Sequence, residues 1–271
     1  MNARLLSLIL IVAMLCGVAA CDIEFDPASK IDSLRFLGIV ADPIEAAPGE
    51  QITFRAIVTN KNGTQYTGPV AWAILSGDQA RLTGDVDDID IGDFYLQPSP
   101  DAPFVWTVPA VRDLQTEFGP LQSRGLLLTI GATVFEDGDL DGEPRAAFKL
   151  FVVSERDPAD RIQNPVLENV NVTAGGQVLN AGDQGEFVTS ASKVKLTAQV
   201  DEKDRDQTFH WFATTDDFEP NFQNEQTLDP DKKGRYGVYC IVRESFYFAH
   251  DNNSRTRVTG QDYWQGFVRF E

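Results

Sequence analysis

The stretch Ile52-Thr53-Phe54-Arg55-Ala56-Ile57-Val58 places an apolar side chain at every second position. A period of two is typical of a β-strand with one buried face. Val194-Lys195-Leu196-Thr197-Ala198-Gln199-Val200 repeats this pattern in the second half of the chain. A short apolar segment with a central tryptophan follows each stretch, at Trp72 and at Trp211. The sequence therefore predicts two copies of one β plan.

Further strand and turn signals extend this plan in both directions along the chain. The first half opens with a strand from Leu34 to Val40, and the turns Pro48-Gly49-Glu50 and Asn62-Gly63 flank the decisive stretch. It closes with a hairpin whose predicted inward positions alternate; they are Leu126, Leu128, Ile130, Ala132 and Val134, then Ala146, Phe148, Leu150 and Val152. The second half opens at Val166–Val172 and closes with Tyr236–Val242 and Gly266–Phe270. No amphipathic helix of convincing length is predicted.

Short alternating strands with a mid-strand Trp predict an all-β chain of two tandem immunoglobulin-like β-sandwich domains. A length of 271 residues agrees with two domains. The polar stretch 155–160 contains a proline, which is typical of a domain linker. We predict domain 1 over residues 32–155, a linker over 156–164 and domain 2 over 165–271.

The N-terminus has the features of an export signal. Arg4 precedes an apolar run from Leu5 to Leu15, which is shorter than the roughly 20 residues of a membrane-spanning helix. The run ends in Val18-Ala19-Ala20-Cys21, which resembles the lipobox of bacterial lipoproteins. That resemblance implies a signal peptide over residues 1–20, cleavage after Ala20, a diacylglycerol on Cys21 and acylation of the new amino terminus. The alternative is an ordinary signal peptide followed by an incidental cysteine.

Two or three acyl chains anchor a protein stably in a membrane. Residues 21–31 would then form a lipidated tether of about ten residues. An extended chain spans at most ~3.3–3.6 Å per residue, so we expect the tether to keep the first domain near the bilayer.

Charge and cysteine content narrow the classes of function. The net charge is −18, and residues 1–20 contain one Arg and no acid, so the mature chain carries −19. This charge argues against nucleic-acid partners and against docking on anionic lipid, and it favours a solvated envelope protein. Of three cysteines, Cys16 and Cys21 lie in the signal region. Once Cys21 is lipidated, Cys240 has no disulfide partner in the chain, and it is predicted to be a buried core thiol.

Two segments carry a family resemblance. Leu34-Arg35-Phe36-Leu37-Gly38-Ile39 with Ala47-Pro48-Gly49-Glu50 resembles the opening of uncharacterised lipoproteins from myxobacteria and related deltaproteobacteria. His210-Trp211-Phe212-Ala213-Thr214 with Gly237-Val238-Tyr239-Cys240-Ile241-Val242-Arg243 is similar to their C-terminal part. The resemblance implies a cell-envelope lipoprotein with Ig-like domains, and it brings no established activity. Asp22 resembles the inner-membrane retention signal of enteric bacteria, but that rule does not transfer to deltaproteobacteria, so the outer membrane is favoured over the inner.

The acidic stretch Asp137-Gly138-Asp139-Leu140-Asp141-Gly142-Glu143 is the sharpest candidate for a ligand site. Carboxylates at alternate positions can surround Ca²⁺, and glycine permits the sharp turn. The twelfth position counted from Asp137 is Phe148, so the EF-hand pattern is absent. Asp137, Asp139, Asp141 and Glu143 are therefore candidate calcium ligands at a hairpin tip, and a solvated acidic turn is the alternative. A second acidic stretch, Asp85–Asp93, is interpreted as an exposed loop or edge strand.

Catalytic motifs are not apparent in the sequence. The two histidines, His210 and His250, are far apart and have no zinc-ligand motif, and there is no nucleophile elbow or phosphate loop. Nothing singles out the carboxylate pair of a glycosidase. The aromatic residues 246–248 and 263–264 could stack on sugar or protein, but packing within the terminal hairpin is favoured.

We therefore predict a membrane-anchored, non-enzymatic envelope protein with a structural or partner-binding role, whose partner would be an envelope protein or a glycan. The first alternative is a calcium-dependent adhesion or ligand-binding module. The second is an envelope hydrolase.

Overall fold

The computed structural model describes residues 29–76, 95–97, 103–119, 121, 123–136, 144–182, 185–201, 206–215, 218, 222–250 and 254–271. Within these residues, no helix is long and apolar enough to cross a membrane.

The first sandwich contains two sheets. Its elements are β1 (Arg35–Asp42), β2 (Glu45–Ala46), β3 (Gln51–Thr59), β4 (Val70–Ser76), β5 (Tyr95–Gln97), β6 (Phe104–Thr107), α1 (Val111–Glu117), β7 (Leu126–Phe135) and β8 (Pro144–Val153). One sheet has the strand order β1-β3-β6, and the other has the order β2-β8-β7-β4-β5. The sheets enclose an aromatic cluster in which Trp72 lies 6.3 Å from Phe54 and 5.6 Å from Phe104 between ring centroids.

The second sandwich follows a 3-10 turn at Pro158–Asp160. Its strands are β9 (Leu167–Ala174), β10 (Gln177–Val178), β11 (Glu186–Thr189), β12 (Val194–Val200), β13 (Gln207–Ala213), β14 (Glu225–Leu228), β15 (Gly234–Ala249) and β16 (Arg255–Phe270). The sheet orders are β10-β9-β12-β14 and β11-β16-β15-β13. Trp211 lies in the core between them, and its indole N–H donates to the carbonyl of Gln223 at 2.9 Å. The predicted fold class, two tandem Ig-like β-sandwiches, is confirmed.

The two sandwiches lie face to face, so that four sheets are stacked in series. One face of β1 and β3, with Phe54, Ala56 and Val58, belongs to the first core. Their other face, with Val40 and Ile57, packs against Tyr239 and Ile241 of β15. The opposite face of β15, with Val238, Cys240 and Val242, belongs to the second core. The C-terminal half of β3 and the central part of β15 are therefore buried on both faces, whereas Arg55 in the first half of β3 is exposed.

A β-bulge interrupts β1, the edge strand of the inner sheet of the first sandwich. The register between β1 and β3 shifts between Phe36 and Gly38, so Leu37 is an extra residue in β1. An extra residue reverses the alternation, which is why Leu37 faces the second sandwich although Ile39 faces the first core.

The structure differs from the sequence expectations at three points. The buried positions of β8 include Lys149, Phe151 and Val153, whereas Phe148 is 49% exposed. At Phe148 and Lys149 this inverts the predicted alternation, because Phe148 covers the space left by Gly131 on the neighbouring strand, whereas Val152 is buried as predicted. The short helix α1 was not predicted, since seven residues with one buried side chain, Leu114, carry too little periodicity.

The third correction concerns the predicted tether over residues 21–31. Its described end is packed against the second sandwich: the backbone N–H of Ile31 donates to the carbonyl of Ala213, whose own N–H donates to the carbonyl of Ser29. Ile31 is buried, and the hydroxyl of Ser29 donates to the carbonyl of Phe218 at 2.8 Å. Residues 29–31 are thus part of the fold: they hydrogen-bond to the second sandwich, and Ile31 belongs to the cluster between the sandwiches that also contains Val40 and Ile57 of the first.

Candidate functional site

The junction between the sandwiches is apolar at its centre. Leu37, Val40 and Ile57 of the first sandwich meet Tyr239 and Ile241 of the second, and all five side chains are buried. Continuous burial of this kind is typical of sheets covered on both faces. The buried apolar contact resembles the interior of a single domain more than a mobile interdomain surface.

Polar contacts surround this apolar centre and fix its register. The Tyr239 hydroxyl donates to the carbonyl of Gly63 at 3.0 Å, and burial raises the pKa of Tyr239 to about 12. Gly63 adopts a φ of +73° in the predicted Asn62-Gly63 turn. A Cβ atom on Gly237 would lie 2.7 Å from the Cα atom of Gly63, so the two backbones meet where neither residue carries a side chain. This contact needs glycine on both sides.

The segment predicted to be a linker, residues 156–164, is bound to the first sandwich by one buried carboxylate. The side chain of Glu45 is fully buried and accepts hydrogen bonds from Nε and Nη2 of Arg156, at 2.8 and 2.5 Å. It also accepts from the Ser154 hydroxyl and from the backbone N–H of Ile162. A buried carboxylate with this many donors is well compensated, and removing a partner is costly.

The linker is held at two further points. Arg161 forms an ion pair with Glu50 at 2.5 Å, and the pKa of Glu50 is lowered mainly by the backbone N–H of Ala47 and also by Arg161. The Asn164 side chain donates to the carbonyl of Ala41 at 2.6 Å. The connection between the domains is therefore a fixed part of the junction.

A cleft of about 370 Å³ opens beside the junction. Its walls come from the bulged segment of β1, from β8 and from the long hairpin β15–β16; the lining residues used below are Phe36, Phe148, Lys149, Arg243, Arg257 and Gln261. The Gln261 side chain donates to the carbonyl of Ile39, and a Cβ atom on Gly38 would lie 2.7 Å from that amide nitrogen. Gly38 thus leaves the space that Gln261 occupies at the floor of the cleft.

The polar groups of the cleft are cationic. Lys149 is only 8% exposed, and its ammonium group donates to the carbonyl of Thr259. Arg243 donates from Nη2 to the carbonyl of Leu37, the extra residue of the bulge, at 3.2 Å. Arg257 is exposed and donates from Nε to the Ser245 hydroxyl at 2.7 Å.

Burial and mutual repulsion perturb the titration of these groups. Burial, and then the nearby charge of Arg243, lower the pKa of Lys149 from 10.5 to about 7. The same two causes, again with burial first, lower the pKa of His210 from 6.5 to about 4, so this imidazole is neutral at pH 7. Burial also lowers the pKa of Arg243. Residues with strongly perturbed pKa values in a cleft are candidates for a functional site.

The calcium candidates, the lipidated cysteine and the cleavage position lie outside the described residues. This applies to Asp137, Asp139, Asp141 and Glu143, to Cys21 and Ala20, and also to the acidic stretch Asp85–Asp93. Strands β7 and β8 pair up to Phe135 and Pro144, so the calcium candidates connect two neighbouring strands. Among the residues with described positions, no cluster of three or more His, Cys, Asp or Glu could hold a metal ion.

The other residues singled out in the sequence lie in the described part of the chain. Cys240 is fully buried in the second core, as its alternation predicted, and burial raises the pKa of its thiol. His210 packs edge-on against Phe222, with ring centroids 5.2 Å apart. In the terminal hairpin, Phe248 packs into the first core and Tyr247 is 68% exposed. The cationic cleft was missed because Lys149 occupies a position that alternation assigned to solvent.

Comparisons with known proteins give no family assignment. No family model matches the chain, and no curated protein matches it. Among solved structures, the fibronectin(III)-like modules of Clostridium thermocellum CbhA are 12% identical, cover 86% of this chain and 94% of their own, and have a TM-score of 0.25. Three N-terminal domains of the bacteriophage RB49 highly immunogenic outer capsid protein are 10% identical, with 88% and 59% covered and a TM-score of 0.23. Salmonella alpha-2-macroglobulin reacted with methylamine is 13% identical, with 91% and 15% covered and a TM-score of 0.29.

Proposed function

We propose that this protein is a lipid-anchored, non-catalytic component of the bacterial cell envelope, whose two sandwiches act as one rigid body that binds a partner. The supporting observation is the junction, where the C-terminal half of β3 and the central part of β15 are buried on both faces. Domains joined by a small polar contact move relative to each other, whereas a large apolar contact holds them together. A rigid two-domain body presents a surface at a fixed orientation, which favours a structural or partner-binding role.

The position of Ser29–Ile31 supports a particular geometry for the anchor. Cys21 precedes Ser29 by eight residues, and an extended chain spans at most ~3.6 Å per residue, so the lipid would lie within about 29 Å of Ser29. Because Ser29–Ile31 hydrogen-bond to the second sandwich and Ile31 lies between the two sandwiches, the anchor would hold the second sandwich and the junction close to the membrane.

The anchor and the partner can be tested together in cells. We expect the wild-type protein to incorporate labelled palmitate, to fractionate with membranes and to give a discrete product after chemical cross-linking. Cys21→Ser should lose the label, the membrane association and the cross-link. Cys16→Ser is the matched control and should keep all three, because the lipobox ends at Cys21.

Two results would contradict the proposal. One is palmitate labelling that persists in the Cys21→Ser variant, which would remove the anchor. The other is a wild-type protein that reaches the membrane and gives no discrete cross-linked product, which would remove the partner.

A further inference from the structure

The cleft beside the junction has an unusual charge for this chain. The protein carries a net charge of −18, yet Lys149, Arg243 and Arg257 line one cleft together. No acidic side chain lines it within the part of the chain that the structure describes. A buried cation is costly unless a carboxylate or another anion pairs with it. The cleft thus concentrates positive charge that has no counter-ion among the described residues.

The hydrogen bonds of these cations leave donors available. Lys149 uses one of three N–H donors on Thr259, and Arg243 uses one of five on Leu37. Both acceptors are neutral backbone carbonyls, which position the side chains without neutralising them. The N–H group of Arg257 that binds Ser245 leaves four more donors on an exposed side chain.

The apolar part of the lining adds a second recognition element. Phe148 is half exposed at the cleft, and Phe36 lines it from the bulged strand. A volume of about 370 Å³ is at the lower end of the range of small-molecule sites. Convergent cations beside two aromatic rings are suited to an anionic group attached to a small apolar body.

A larger cleft differs because an acidic residue lines it together with its arginines. Its volume is about 710 Å³, and its lining includes Arg124, Arg156 and Arg161 together with Asp160. Arg156 is paired with the buried Glu45 and Arg161 with Glu50, so the charges of these two arginines are already compensated.

We propose that the cleft lined by Lys149, Arg243 and Arg257 binds a small organic anion, with a carboxylate or phosphate group on the cations and an apolar body against Phe36 and Phe148. The anion supplies the counter-charge that Lys149 and Arg243 do not find among the described residues. Because Lys149 is on β8 and Arg243 is on β15, the ligand would touch both sandwiches. This inference does not depend on the lipid anchor or on a protein partner.

Titration of the purified chain without its signal peptide tests the site directly. The probes are phenyl phosphate and benzoate, with benzyl alcohol as the neutral match, followed by calorimetry or ligand-observed NMR. We expect at least one anion to bind with millimolar or tighter affinity, and benzyl alcohol to bind at least roughly tenfold more weakly, since a charged hydrogen bond contributes a factor of about ten or more. The preferred anion identifies the headgroup as carboxylate or phosphate.

Two variants connect the binding to this cleft. Lys149→Met should weaken anion binding roughly 10–100-fold, and Arg257→Gln, at an exposed position, should weaken it roughly 3–10-fold without loss of folding. Lys195→Met removes an exposed lysine from the outer sheet of the second sandwich and should leave the affinity unchanged. Absence of binding for both anions at millimolar concentration, equal binding of benzyl alcohol, or affinities unchanged in both cleft variants would overturn the proposal.

Discussion

The sharpest consequence of the structure is that one lysine should destabilise the fold at neutral pH. Lys149 has a pKa of 10.5 when unfolded and about 7 when folded, because burial and Arg243 disfavour its charge. The unfolded chain therefore binds one more proton than the folded chain between pH 7 and pH 10.5. Below pH 7, Lys149 therefore lowers the free energy of unfolding by its full amount. This penalty decreases as the pH rises from 7 and disappears near pH 10.5.

The size of the effect follows from the two pKa values. One pKa unit corresponds to about 1.4 kcal/mol, so the penalty is about 4–5 kcal/mol at pH 7. Lys149→Met removes it but leaves the carbonyl of Thr259 without its donor, which costs about 1–3 kcal/mol. We expect the variant to be more stable than the wild type by about 1–4 kcal/mol at pH 7. At pH 10.5 only the lost hydrogen bond remains, and the variant should be less stable by about 1–3 kcal/mol.

Urea unfolding of both proteins at pH values from 6.5 to 10.5, without added phosphate or carboxylate buffers, measures this difference. Lys195→Met is the control, since this exposed lysine pairs with Glu225 at the surface and its removal should change stability by less than about 1 kcal/mol at every pH. A Lys149→Met difference that keeps one sign and one size across the range would refute the reasoning, because it would mean that Lys149 keeps its ordinary pKa in the fold.

Three further predictions concern other parts of the chain. Gly237→Ala should destabilise the protein by about 1–3 kcal/mol in urea unfolding, because the new methyl group meets the facing turn of the first sandwich, whereas Gly182→Ala has 3.5 Å of clearance and should be nearly neutral. The thiol of Cys240 should not react with a disulfide reagent in the native protein and should react fully in urea, since it is buried and its pKa is raised; fast native reaction would show that the second core is open. If the acidic hairpin tip binds Ca²⁺, calorimetric titration should show binding that the double change Asp139→Asn and Asp141→Asn abolishes; no heat and no thermal shift at millimolar Ca²⁺ would leave it a solvated turn.

Local pattern was sufficient to identify the core-facing positions of β7, although burial in this strand is continuous from Leu127 to Ala132. Leu128, Ile130, Ala132 and Val134 are all buried along β7, as the sequence predicted. Each has a polar or small neighbour on the outer face, so a period of two is visible. The same reasoning correctly predicted that Cys240 is a core thiol.

The junction was not predicted, although its signal is present in the sequence. Ala56-Ile57-Val58 and Val238–Val242 are short continuous apolar runs, and such runs are typical of strands that are covered on both faces. Sequence reasoning treated these runs as strands with one buried face, because the apolar residues at every second position are enough to form the core of each sandwich. Which sheets face each other depends on contacts between distant segments, and the pattern within one strand carries no information on this.

The cationic cleft also could not be predicted from the pattern within single strands. Lys149 is buried because the first and second sandwiches meet at its position and because the carbonyl of Thr259, 110 residues away, accepts a hydrogen bond from it. The carbonyl that Arg243 binds belongs to a bulge in β1, and alternation in the sequence does not reveal a bulge. Buried charge at an interdomain cleft is a property of the assembled fold.

The central claim is that the two sandwiches are docked into a single body, and amide hydrogen exchange tests it most directly. Ile57 is buried in the junction, and Ile57→Ala should lower the free energy of unfolding of the protein by about 2–4 kcal/mol. If the sandwiches open together, exchange in the variant should accelerate by the same factor in peptides from β3 and in peptides from β9 and β12, which do not touch Ile57. Faster exchange confined to the first sandwich, with unchanged protection in β9 and β12, would contradict the account and show two independent domains.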